Sequence, residues 1–123
     1  MKIPETLEEC YKVLDELNPE DFQEWLRLNE KEAIAISHHG LGTWVRNNWG
    51  LWSGKSELFK WFKSNKIDHP DDMSSIILTS YHRYKNNKDI KLQEQFAKYI
   101  EFWLTDKEKE QWLRKKKLKK LDE

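Results

Sequence analysis

The residues best suited to chemistry lie mid-chain, in His38-His39-Gly40-Leu41-Gly42-Thr43-Trp44-Val45-Arg46-Asn47-Asn48-Trp49-Gly50-Leu51-Trp52. If this stretch is helical from His38 onward, His38, Gly42 and Arg46 recur at i, i+4 and i+8 and share one face. Gly42 then places no side chain between imidazole and guanidinium, which leaves a shallow notch. A guanidinium in such a notch can bind a carboxylate or phosphate through two parallel N–H donors. A second polar group follows in Asp71, Asp72, Ser74 and Ser75, and a third in His82 and Arg83.

The cluster His38, Arg46, Asn47, Asp71, Asp72 and Ser74 has two uses open to it. As a site, Arg46 would neutralise an anionic substrate or ligand, His38 or His82 would move a proton, and Asp72 would orient the imidazole. As a structural network, Arg46 would pair with Asp71 or Asp72, which in turn complement the dipole of a helix start. The network is the plainer reading. A triad of His38, Asp72 and Ser74 carries little weight, because Ser and Asp beside a helix start are ordinary caps.

Other chemistries have less support. His38 and His39 are adjacent and diverge on a helix, and neither a Cys pair nor a His-Glu-x-x-His pattern occurs, so no metal is expected. Gly40-x-Gly42 lacks the preceding strand of a phosphate-binding loop, and no cofactor is expected. Cys10 is the single cysteine, which excludes an intramolecular disulfide. It sits in a helical pattern without a nearby His or basic partner, as a packed thiol does, and a disulfide-linked partner is not expected.

Charge is balanced overall but not along the chain. Lys plus Arg and Asp plus Glu each total 22, which gives no global attraction to nucleic acid or to an anionic membrane. Through Ile36 there are four basic and ten acidic residues. The basic residues of the far end gather in Arg114, Lys115, Lys116, Lys117, Lys119 and Lys120. These could contact backbone phosphates, or simply be solvated lysines at a helix carboxyl end, where positive charge is favoured. Opposite charge at the two ends could bring them together, or bring separate copies together.

These residues must be carried by helices, because apolar positions recur three or four apart almost throughout. Thr6 and Glu9 have capping-box spacing before Leu7, Cys10, Tyr11, Leu14 and Leu17. Asn18 and Pro19 read as the cap and first position of a second helix carrying Phe22, Trp25 and Leu26. Asn29 and the Gly40–Gly42 stretch are possible breaks. Leu41, Trp44, Val45 and Asn48 share one side of a helix over about 41–47, and the Trp-rich loop after it should fold back over the core. A helix over about 56–64 follows. His69-Pro70-Asp71-Asp72 starts the next, whose stripe is Met73, Ile76, Ile77, Ser80, Tyr81 and Tyr84. A helix from Ile90 and a last one after the Thr105–Glu108 box, using Trp112, Leu113, Leu118 and Leu121 and fraying toward Glu123, complete the chain.

The expected fold is therefore all-α, a compact orthogonal bundle of about six or seven short helices forming a single domain over 1–123. With no signal peptide and no long apolar run, a cytoplasmic location and no membrane contact are expected.

The pattern His38-x-x-x-Gly42-x-x-x-Arg46-Asn47-x-Trp49-x-Leu51-Trp52, followed by Leu58, Phe62, His69-Pro70-Asp71-Asp72-Met73-Ser74 and Tyr81-His82, resembles a small uncharacterised bacterial domain family. The resemblance covers about residues 4–88 and leaves the final helices as a basic, helical extension. It implies a shared fold and polar cluster but no known activity.

The expected function is a non-catalytic protein-interaction or regulatory module, such as an immunity or phage-related accessory protein. Its partner would be another protein or a second copy of itself, met through some of Trp49, Trp52 and Trp61. One alternative is a small enzyme or anionic-ligand-binding domain using His38, Arg46, Asp71, Asp72 and His82. The other is weak phosphate-backbone binding of nucleic acid through the Lys-rich end.

Overall fold

The computed structural model describes residues 2–17 and 19–121, with the side chains of 19–21 and 121 excepted. Among these residues it has eight helices and no strand: α1 (Leu7–Leu17), α2 (Pro19–Arg27), α3 (Glu30–Ser37), α4 (Leu41–Asn48), α5 (Glu57–Ser64), α6 (Pro70–Lys85), α7 (Leu92–Trp103) and α8 (Asp106–Leu121). The expected cap Asn18, the inward Leu121 side chain and the fraying toward Glu123 lie outside the described residues.

The count is eight rather than six or seven because both candidate breaks are used. The Asn29 side chain accepts a hydrogen bond from the Glu32 amide at 2.9 Å and starts α3. At Gly40 the backbone leaves helical geometry, with φ −99° and ψ −92°, and separates α3 from α4. A run with two glycines is costly to hold as uninterrupted helix.

Helix starts follow the sequence signals closely. Thr6 Oγ1 accepts from the Glu9 amide at 3.2 Å, while the Glu9 carboxylate accepts from the Glu5 amide at 2.7 Å. At α8 the reciprocal box closes fully, between the Thr105 hydroxyl and the Glu108 amide (3.2 Å) and between the Glu108 carboxylate and the Thr105 amide (3.3 Å). Helix α7 starts at Leu92 rather than Ile90 because Lys91 adopts a left-handed conformation, φ 52°.

Helix α6 is the central element and packs against α1, α3, α4 and α7. Met73, Ile76, Ile77, Ser80 and Tyr81 are buried as their spacing expects, and Ser74, Leu78 and His82 are buried beside them. Nearly all of its circumference from Met73 to His82 is therefore covered. Around it lie Leu7, Cys10, Tyr11 and Leu14 of α1, Trp25 of α2, Val45 of α4 and Phe62 of α5.

Burial fails for several large side chains expected on apolar faces, Trp103 of α7 among them. Leu17 ends α1 at 41% exposure, and Tyr84 is 52% exposed. The Tyr84 ring stacks on Tyr11 at 4.8 Å, so one face is covered and the other meets solvent. Among the described side chains of α8 only Trp112 is partly buried; Leu113 and Leu118 are 53% and 62% exposed. At 100° per residue Leu113 and Leu118 lie off the Trp112 face, so one contact cannot bury all three.

Candidate functional site

The central polar cluster forms where the end of α3, the body of α4 and the first turn of α6 converge. Arg46 projects from α4 and is only 5% exposed. One terminal nitrogen donates to Ser74 Oγ at 2.8 Å. The other donates to the His38 carbonyl and to Thr43 Oγ1, both at 3.0 Å. Asp71 Oδ1 lies 3.3 Å from Nε, off the N–H axis, so the two meet as charges without a hydrogen bond. Ser74 completes the chain by donating to the Asp71 carbonyl at 3.0 Å.

Two helix ends explain why a guanidinium belongs there. The His38 carbonyl follows the last turn of α3, where unpaired carbonyls favour a cation, and Asp71 sits in the first turn of α6, where an acid is favoured. Arg46 bridges the two. Gly42 makes the room: a Cβ on it would come within 3.0 Å of an Arg46 nitrogen and 3.1 Å of the Ser37 carbonyl oxygen. The expected notch over Gly42 thus exists, but the guanidinium itself fills it.

The remaining members of the cluster go elsewhere. His38 supplies its carbonyl to Arg46, while its imidazole sits edge-on to His39 at 4.9 Å. Asn47 is exposed. Asp72 points away from Arg46 and accepts from Trp103 Nε1 at 2.8 Å, beside a His69 ring stacked on Trp103 at 3.7 Å. Burial raises the Asp72 carboxyl above its ordinary range, only partly offset by the Trp103 hydrogen bond. His82 lies about 15 Å further along α6 and is buried, with Nε2 3.1 Å from the Leu28 carbonyl and its ring edge-on to Trp25 at 5.0 Å. Facing a carbonyl, Nε2 must be the protonated nitrogen. Neither the proposed triad nor the five-residue set His38, Arg46, Asp71, Asp72 and His82 is assembled, because neighbours on one helix point 100° apart and the far members sit at opposite ends of it.

Sequence reasoning missed a second polar network at the far end of α6. Arg83 grips Glu30 through two contacts, 2.5 Å from Nε and 3.0 Å from a terminal nitrogen, and donates also to the Ile90 carbonyl at 2.6 Å. The Arg83 hydrogen bond holds the Glu30 carboxyl below its usual range. Asp15 accepts from Tyr81 at 2.7 Å and pairs with Lys85 at 3.0 Å; partial burial pulls its carboxyl up, but these partners outweigh it and the net shift is down. The Glu30–Arg83 and Asp15–Tyr81 contacts each join residues more than fifty positions apart, which local spacing cannot signal.

The Trp candidates divide. Trp49 is fully buried, edge-on to Trp44 at 5.7 Å, and its indole nitrogen has no acceptor. It belongs to the core and not to an interaction surface, because the loop turns back at Gly50, φ 69°. Trp61 is partly buried against Phe62 and Phe96. Trp52 alone of the three is open to solvent, at 59%. Phe102 and Trp103, 71% and 54% exposed with ring centroids 5.1 Å apart, add a second aromatic surface that their helical spacing did not reveal.

The basic candidates Arg114, Lys115, Lys116, Lys117, Lys119 and Lys120 are all exposed on α8. Lys116 pairs with Glu101 and lies over the Trp112 ring at 5.6 Å, and Trp112 Nε1 also donates to Glu101 at 2.7 Å. Cys10 is fully buried, and desolvation together with Glu9 and Glu8 pushes its thiol up, against any role as a thiolate. Among the described residues no group of His, Cys, Asp and Glu has the arrangement of a metal site, and no helix is long and apolar enough to cross a membrane.

Residues 3–85 match the model of a family described as a domain of unknown function (DUF6794), and the chain belongs to that family. The match runs from the approach to α1 through the last residue of α6; α7 and α8 follow it. No curated protein and no solved structure matches the chain.

Proposed function

We propose that this member of the family is a non-catalytic protein-interaction or regulatory module, of the kind represented by immunity and phage-related accessory proteins. It would act in the bacterial cytoplasm as one orthogonally packed domain, with the helices after the matched region as a basic extension.

One observation carries this reading: the chemically capable side chains are consumed internally, while several large apolar ones are not. Arg46 spends its donors on Ser74, His38 and Thr43, and Asp72 is held by Trp103. Trp52 and Phe102 stand out into solvent, and Trp103, stacked on His69 by one face, stays half exposed beside Phe102. Exposed aromatic side chains are the residue types that anchor protein interfaces. Together Phe102 and Trp103 present roughly 200–300 Å² of ring surface, enough to seed a contact but not to constitute one.

The test is to place a photo-reactive side chain at Trp52 or at Phe102 and irradiate living cells. A discrete protein adduct from at least one position is expected. A folded chain that yields no adduct from either position removes the reading.

A further inference from the structure

We propose that a second copy of this chain is a partner, and that α8 of each copy docks into a groove along α1 of the other. The inference rests on the interaction-module reading and names its occupant.

Helix α8 is under-packed on its own body. It is held to α7 through Trp112 and Lys116, both on Glu101. Away from that contact Leu113, Arg114, Lys117 and Leu118 stand at i, i+1, i+4 and i+5, the spacing of one helical stripe, and all four are exposed. Two leucines interleaved with two cations form an amphipathic face with nothing against it. A helix that packs this little of its own surface gains its stability from another body or from charge pairs along its length.

The α1 side supplies the complement. A groove of about 410 Å³ runs between α1 and the α6–α7 connection, walled by Tyr11, Tyr84 and Leu92, with Glu8 and Asp15 as its acids; Asp15 is already paired with Lys85. Tyr84, the half-exposed ring that α6 leaves uncovered, is part of that wall. Beyond the groove α1 and its approach expose Glu5 and Glu16, within a segment holding ten acidic and four basic residues through Ile36. Among the described residues Lys12 is the one cation lining the groove, with Lys85 beside it on Asp15. From Gln111 to Lys120, α8 has six cations and no acid. Leucines against an apolar groove and cations against the net acidic α1 are complementary.

The two surfaces are different patches of one molecule, so a two-fold axis makes the contact twice. Helix α8 spans about 24 Å. Making the contact twice moves the buried area toward the order of 1,000 Å² that a specific interface needs, which a single contact would not approach.

The experiment is sedimentation equilibrium of the full chain, at micromolar to hundreds of micromolar concentration, in about 50 mM and about 500 mM salt. A species of twice the 15.0 kDa chain mass is expected, weakened about tenfold or more by the higher salt. Lys117→Glu should weaken it about tenfold, as should Glu8→Lys, and the two together should recover most of the loss. Leu113→Ser with Leu118→Ser should abolish it while circular dichroism stays unchanged. A monomer at every concentration overturns the proposal, as does a dimer indifferent to both charge reversals. Salt-sensitive binding of single-stranded or duplex DNA through α8, without self-association, overturns it in favour of a polyanion. The photo-adducts separate the two failures: a heterologous adduct with a monomeric chain leaves the interaction module standing and removes only the dimer.

Discussion

Arg46 and the cations of α8 are the same kind of group in opposite circumstances. Arg46 is 5% exposed, faces three oxygen acceptors and a carboxylate, and holds the ends of three helices together. Lys117, like Arg114, is exposed on α8 and makes no ion pair among the described residues. The first has spent both terminal nitrogens on the fold and set its Nε beside a carboxylate. The second keeps its hydration, which leaves its charge available to water, salt or another molecule. A cation therefore tells little by type alone; what counts is how many acceptors the fold has already given it.

Arg46→Ala should show the largest effect. It strands a buried serine hydroxyl and a helix-end carbonyl, and should cost about 2–4 kcal/mol. That lowers Tm by roughly 10 °C or more. Arg46→Lys should recover only part, because one ammonium cannot span the same acceptors. A thermal melt within a degree or two of wild type would erase the contrast with α8.

Gly42→Ala comes next, at about 1–3 kcal/mol. One of its two close neighbours is backbone, the Ser37 carbonyl at 3.1 Å, and cannot swing aside. Urea titration checks it; an unchanged midpoint would mean that α3 and α4 part freely at this point.

The Glu30–Arg83 pair sharpens the comparison from an intermediate position, with side chains 35% and 21% exposed. The folded state holds the Glu30 carboxyl below its ordinary value of 4.5. The pair's stabilisation is therefore complete above about pH 4.5 and fades as pH falls through the lowered folded value. Wild type should lose stability between neutral pH and pH 3 more steeply than Glu30→Gln, measured by denaturant midpoints across that range. Parallel curves would show that the pair contributes nothing.

Lys117→Ala should show the smallest effect, within about 0.5 kcal/mol of wild type for the isolated chain. A loss of 2 kcal/mol or more would mean that α8 is already packed on its own body.

The residues themselves determined the helices. Three- and four-residue apolar spacing, the Thr6 and Thr105 boxes, Asn29 and Pro70 act within one or two turns, and such short-range hydrogen bonds and steric limits can be read along the chain. The same locality made Gly42 legible as a space beside Arg46. Only the tertiary structure decided what filled that space, and which of two adjacent aspartates met the guanidinium: Asp71 and Asp72 differ by 100° around α6, and the packing of α4 and α7 selects between them. It also placed Trp49 inside and Trp52 outside one short loop, and joined Glu30 to Arg83 across most of the matched region. Those outcomes depend on which faces come together, a property of the whole packed chain that no local window of residues contains.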